Sequence, residues 1–151
     1  MENVIAGSDL QAPRRVGRSV GAVLAGLVAI VVTHTGTDAI CHTTGVFPPA
    51  GEMMSDALFG LATAYRVFFE VLGAALTAYL APARPLKHAL VLGAIGVVAS
   101  TAGLLATMNR VPALGPLWYP LALIVTSVPA SWLGAVLVIS RRAARRARPR
   151  T

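Results

Sequence analysis

Charged residues are scarce in this sequence. Of its 151 residues, 13% are charged and 56% are hydrophobic, whereas soluble domains carry about 25% charged residues. This balance excludes an ordinary soluble domain and predicts an integral membrane protein.

Cysteine is nearly absent, because Cys41 is the only one in the chain. An internal disulfide, a paired-thiol redox site and a zinc site built from several thiolates of this chain are therefore excluded. A bridge between two copies through Cys41 and an inert thiol both remain open. The sequence also has no nucleophile elbow, paired-carboxylate motif or metal signature. We therefore do not favour an enzyme, and we predict no cofactor.

Acidic residues are few, with 6 against 13 basic ones and a net charge of +7. The basic residues lie mostly at the ends of apolar runs and in the C-terminal tail, which is typical of membrane topology rather than of nucleic-acid binding. We predict no nucleic-acid partner. Because Lys87 is the only lysine, the arginine bias hints at a GC-rich bacterial genome. The predicted location is the bacterial cytoplasmic (inner) membrane, with several passes.

Long apolar runs dominate the rest of the chain. A transmembrane helix needs about 20 apolar residues, and four runs meet that length. We predict an all-α polytopic membrane protein, a bundle of four transmembrane helices, with spans at about 16–38, 56–80, 86–108 and 117–140. The first run could be mistaken for a signal peptide, but no small-x-small cleavage site follows it, so we expect it to be retained.

The distribution of arginine predicts the orientation of these spans. Four spans put both chain ends on one side, and the tail at that side is the most basic segment: Arg141, Arg142, Arg145, Arg146, Arg148 and Arg150. The loops on the other side contain only Arg110. The positive-inside rule thus makes residues 1–15 and 141–151 cytoplasmic tails. We also expect the Arg-rich tail to bind anionic lipid head groups of the bilayer.

Two charges, Arg66 and Glu70, lie near the middle of the second span. They are four residues apart and share a helix face. A charge at that depth costs about 2.5–3.5 kcal/mol on insertion scales and seldom faces lipid. A structural ion pair and a polar site in a ligand cavity or translocation path both remain open. Glu70 is the deeper charge, and we expect it to meet Arg66, Tyr65 or a hydroxyl such as Thr101 or Ser127.

A second polar group follows the first span, where His34, Asp38 and His42 recur every four residues. On one continuous helix they would share a face, and His with carboxylate at that spacing could bind a divalent metal or relay a proton. Glu52 and Asp56 across the loop would complete an outer His/Asp/Glu cluster. The threonine-rich sequence could instead end the helix, which would leave a solvated exit from the membrane.

Together these residues predict a polar pocket open to the outside. Its candidate residues are His34, Asp38, Tyr65, Arg66 and Glu70. The predicted function is that of a small transporter or a subunit of a membrane complex. The small residues of the third span favour a homo-oligomer or a membrane-protein partner. The alternative is a membrane-embedded enzyme or metal-binding protein that uses the outer cluster.

Several segments resemble a group of small, uncharacterised bacterial four-span membrane proteins. They are Tyr65–Gly73, Leu80–Gly93, Thr37–Asp38, His42, Gly45 and Phe47–Pro49. The resemblance covers most of the membrane portion and implies the four-span fold, but it implies no activity, because that group has none assigned. Small multidrug transporters differ in placing their working glutamate in the first span. Quinone-linked disulfide enzymes differ in having paired cysteines.

A faint internal repeat relates the stretch after Gly73 to the stretch after Gly134. True duplication of a helical hairpin and chance similarity of apolar helices both remain open. If the repeat is real, Ser127 and Ser131 occupy the places of Arg66 and Glu70.

Overall fold

A computed structural model describes residues 11–49, 51–108 and 115–147, which fold into four α-helices. Their bounds are Gln11–Thr43 (α1), Asp56–Leu80 (α2), Pro85–Thr107 (α3) and Trp118–Ala147 (α4). Each helix is long and apolar enough to cross a membrane. The predicted all-α class with four membrane-spanning helices is confirmed at this level. Arg110, Arg148 and Arg150 lie outside the described residues.

The first helix is longer than the span predicted from the sequence. It begins at Gln11, within the predicted N-terminal tail, and ends at Thr43, beyond the predicted limit at residue 38. The hydroxyls of Thr33, Thr35 and Thr43 each donate to the carbonyl four residues earlier, at 2.6–2.9 Å. These bonds satisfy the polar side chains within the helix, so the threonines do not end it.

The ends of α2 and α3 follow local sequence signals. Ser55 caps α2, because its Oγ accepts from the Leu58 amide at 3.4 Å, and Asp56 favours the positive end of the helix dipole. At the other junction Pro85 opens α3, a position where its missing N–H costs nothing. Arg84 just before it has φ 46°, a left-handed conformation that reverses the chain within a short link.

The four helices alternate in direction. α2 and α4 lie side by side and run parallel, so Trp118 meets Asp56 at one end and Arg142 meets Tyr79 at the other. α4 packs mainly against α2 and α3, whereas α1 packs mainly against α2. Over the described residues α1 and α4 do not touch. We call the end where α1 begins and α4 ends the basic end, and the opposite end the loop end.

Small residues let the helix backbones approach closely. A Cβ added at Gly26 of α1 would lie 2.6 Å from the Gly73 carbonyl oxygen of α2 and still closer to Thr77 Oγ1. Gly93 of α3 has the same relation to Ser131 of α4, with 2.8 Å from such a Cβ to Oγ. Gly93 of the third span therefore serves packing within the chain, while the predicted oligomer or membrane-protein partner stays a prediction.

Other glycines have different surroundings. Gly103 of α3 has open space where a Cβ would point, so it brings no helix of the described chain closer. The repeat-related pair also differs, because Gly73 faces Ile30 of α1 whereas Gly134 faces Ala74 of α2. The two halves of the faint repeat are therefore not packed in the same way.

Candidate functional site

A cavity of about 420 Å³ lies between the helices and extends to Gly115, Pro116 and Leu117 at the loop end. All four helices contribute to its wall. Its apolar lining includes Leu27, Ile30, Leu92, Ile95 and Leu123. Its polar lining includes His34, Arg66, Glu70, Ser100, Tyr119 and Ser127.

Asp38 of α1 binds two side chains of α2. Its Oδ2 accepts from Arg66 Nη2 at 2.5 Å, and its Oδ1 accepts from the Tyr65 hydroxyl. Both carboxylate oxygens are therefore used, and the charges of Asp38 and Arg66 compensate each other. The contact between Asp38 and Arg66 is direct.

The alternative of an ion pair between Arg66 and Glu70 is wrong for this structure. In the described part of the chain the ion pair is the one between Arg66 and Asp38. The Arg66 side chain reaches across to α1 instead of along its own helix toward Glu70. The physical reason is that Asp38 of α1 lies within reach of the guanidinium, and its second oxygen is held by the Tyr65 hydroxyl.

His34 lies beside this ion pair and binds the backbone of α2. Its Nε2–H donates to the Arg66 carbonyl at 3.1 Å, and its ring centroid lies 6.3 Å from that of Phe69. His34 therefore ties α1 to α2 one turn below Asp38. These hydrogen bonds bring His34, Asp38, Tyr65 and Arg66 together. Of the four, His34 and Arg66 line the cavity, whereas Asp38 and Tyr65 are not among its lining residues.

His42 and the other members of the outer cluster have separate partners. The Nδ1–H of His42 donates to the Pro48 carbonyl at 2.9 Å, and its ring stands edge-on to Phe47. Asp56 accepts from Trp118 Nε1 at 3.2 Å, and Glu52 is exposed. Hence the structure does not assemble the predicted outer His/Asp/Glu cluster.

The candidate metal ligands His34, Asp38 and His42 share a helix but not a site. Across residues 11–49, 51–108 and 115–147, no group of three or more His, Cys, Asp or Glu side chains could hold a metal ion. His34 and Asp38 both bind Arg66 of α2, whereas His42 binds the Pro48 carbonyl.

Glu70 lies apart from the ion pair, deeper in the cavity wall. Ser127 Oγ of α4 lies 3.4 Å from its Oε2, so one of the hydroxyls suggested by the sequence is its neighbour. The other, Thr101, donates to the Val97 carbonyl of its own helix. On the α3 side, a Cβ added at Gly96 would lie 3.1 Å from Glu70 Oε1, so the absence of a side chain at Gly96 makes room for the carboxylate.

An aromatic group stands beside the cavity at the loop end. The buried Phe59 ring lies 5.1 Å from Tyr119 and 6.3 Å from Trp118, centroid to centroid. Gly115 approaches the tip of the Phe59 ring with φ 120°, a backbone conformation that favours glycine. Tyr119 also lines the cavity, which the sequence did not predict.

Four helices of this length and composition define the class, a multi-pass helical membrane protein. Comparison of the chain with protein-family models, with curated proteins and with solved structures finds no match. The resemblance to bacterial four-span proteins therefore stays a prediction, and the function is argued from the geometry of the cavity.

Proposed function

We propose that this protein binds a small molecule in the cavity between its four helices, as a small transporter or as a ligand-binding subunit of a membrane complex. The observation that carries the proposal is the cavity itself, about 420 Å³ with an apolar wall and two charged side chains. Its volume falls within the range of about 300–1,000 Å³ that is common for small-molecule sites, and mainly apolar walls with a few polar groups are usual there.

The charges in the wall support a binding role. An ionisable residue within a membrane span is by default a candidate for function, since it is expensive to keep there. Arg66 has a structural partner in Asp38, whereas Glu70 faces the cavity with a single weak neighbour. Contacts between helices therefore explain why Arg66 is present in this wall, but they do not explain why Glu70 is.

We further propose that the cavity opens to the outside of a bacterial cytoplasmic membrane, with both chain ends in the cytoplasm. The support is the concentration of arginine at the basic end, which the positive-inside rule places in the cytoplasm. Anionic lipid head groups would contact the exposed Arg141, Arg145 and Arg146 there. An oligomer or a membrane-protein partner stays a prediction. It is supported by small residues that face open space and could receive another helix, namely Gly17, Gly21 and Gly103.

Filling the cavity tests the proposal. Ser100 of α3 lines the cavity, so Ser100→Phe should occupy it, while Val98→Phe on the 69% exposed face of the same helix serves as the matched control. A panel of neutral, anionic and cationic small molecules is screened by thermal unfolding of the purified protein in detergent. A ligand at 100 times its Kd stabilises a folded protein by about 2.7 kcal/mol.

We expect at least one compound to raise the Tm of the wild type and of Val98→Phe, but not of Ser100→Phe. The proposal fails if no compound does so, or if every compound that stabilises the wild type stabilises Ser100→Phe equally. Uptake of the confirmed ligand into proteoliposomes then separates a transporter from a binding subunit.

A further inference from the structure

The charges of the cavity do not balance. The Arg66 guanidinium is compensated by Asp38 through Nη2, and in the described part of the chain its buried Nε has no hydrogen-bond partner. Among the described residues, no Lys, Arg or His nitrogen lies within 4.0 Å of a Glu70 carboxylate oxygen. The ion pair in this part of the chain joins Arg66 to Asp38. The wall therefore presents an uncompensated carboxylate.

Ser127 does not fully satisfy this carboxylate. A serine hydroxyl has a single hydrogen to donate. Ser127 Oγ lies 3.0 Å from the Leu123 carbonyl of its own helix and 3.4 Å from Glu70 Oε2. When the hydrogen goes to the nearer acceptor, Glu70 receives no donor from Ser127. The carboxylate thus retains acceptor capacity on the cavity side.

The surroundings keep this acceptor open rather than covered. Gly96 faces Glu70 without a side chain, and the cavity wall also includes the apolar side chains of Leu92 and Ile95 from α3 and Leu123 from α4. An apolar environment strengthens the attraction of a carboxylate for a cation, because the effective dielectric constant is lower than in water. The ligand that matches both features has a positive charge and an apolar body.

We propose that the ligand of this cavity is an amphipathic organic cation, whose charged group lies against Glu70 and whose apolar part packs on Leu92, Ile95 and Leu123. This inference rests on the proposed binding function and names its ligand class. The ion pair of Arg66 with Asp38 also favours a cationic ligand, because Asp38 compensates the positive charge of Arg66 that would otherwise repel it.

Two probes of similar size and opposite charge test the ligand class, tetraphenylphosphonium and tetraphenylborate. A smaller cation, benzyltrimethylammonium, covers the case in which the four-ring probe is too large. Binding is measured in lipid nanodiscs, with empty nanodiscs subtracted. The variants are Glu70→Gln, which keeps the shape of the side chain, and Glu52→Gln, which removes an exposed carboxylate outside the cavity.

We expect at least one of the two cations to bind the wild type and Glu52→Gln alike, and to bind Glu70→Gln about tenfold or more weakly, the equivalent of 1.4 kcal/mol. Tetraphenylborate should not show this dependence. Ser100→Phe should abolish the binding of the cation.

The ligand class is overturned if neither cation binds, if cation binding is equal in Glu70→Gln and the wild type, or if tetraphenylborate binds more tightly than the cation of the same shape. Should another compound still bind in a manner abolished by Ser100→Phe, the cavity function survives and only the charge assignment fails. Absence of any binding that depends on Ser100 overturns both.

Discussion

At the scale of single residues, the contact between Asp38 and Arg66 is the main polar link between α1 and α2. Their side chains are 28% and 26% exposed, so water reaches the pair but does not fully solvate it. Removing one partner of such a pair leaves the other charge without compensation, which costs more than the pair contributes when intact. Its contribution is therefore best measured by a double-mutant cycle.

We predict that Asp38→Asn lowers the free energy of unfolding by about 1–3 kcal/mol, the range for losing a hydrogen bond to a charged group. The double variant Asp38→Asn with Arg66→Gln should lose less than the sum of the two single variants, because no unpaired charge remains. Thermal unfolding in detergent measures both, with Glu52→Gln as an exposed-carboxylate control. Additive losses would mean that the two side chains are not coupled.

The residues of the site were largely predictable, but their partners were not. Arg66 and Glu70 stand out in the sequence because charges are rare inside apolar runs, and His34 and Asp38 follow from helical spacing. Arg66 pairs with Asp38 rather than with Glu70 because of the way α1 is rotated against α2. That rotation cannot be read from the sequence of either helix alone. Gly96 matters only because Glu70 lies opposite it, and a glycine in a Gly- and Ala-rich helix gives no such signal.

At the scale of helices, the sequence predicts the existence and order of the elements better than their limits. The four apolar runs correspond to the four helices, since length and hydropathy are local properties. The end of α1 was missed because threonine, which usually disfavours a helix, bonds to the helix backbone here. The contacts between helices depend on glycine positions. Some glycines, such as Gly26, lie at a contact between helices, whereas others, such as Gly21, face open space.

Substitutions at Gly26 and Gly21 of α1 compare a glycine at a helix contact with a glycine that faces open space. We predict that Gly26→Ala lowers the Tm, because its Cβ would overlap Thr77 Oγ1 and the Gly73 carbonyl, and overpacking of this kind costs about 1–3 kcal/mol. Gly21→Ala should leave the Tm unchanged or slightly raised, since a Cβ there meets nothing within 4 Å and alanine favours a helix over glycine. Equal effects of the two substitutions would show that α1 does not pack on α2 through Gly26.

At the scale of the whole molecule, the two ends of the bundle differ in charge. The basic end carries exposed arginine and lysine side chains, including Arg18, Lys87 and Arg145. The loop end carries Asp38, Glu52 and Asp56, and the cavity reaches Gly115 and Leu117 there. Arg142 reinforces the basic end by donating to the Tyr79 carbonyl at 2.7 Å, at the C-terminal end of α2, where a cation is favoured. Orientation in the membrane therefore decides which compartment supplies the ligand.

Labelling of single cysteines tests that orientation, and Cys41→Ser provides a background without other thiols. In it, Met53→Cys places a thiol in the loop between α1 and α2, where the side chain is 51% exposed. Ala144→Cys places one on the exposed last turns of α4 without changing any arginine. The positive-inside rule predicts that a membrane-impermeant maleimide labels Met53→Cys in intact spheroplasts, but labels Ala144→Cys only after permeabilisation.

The reverse pattern would place the loop end, and the end of the cavity that reaches it, on the cytoplasmic side. Labelling of both in intact spheroplasts would indicate two orientations, and either result would overturn the proposed outward-facing site while leaving the ligand class to be tested on its own.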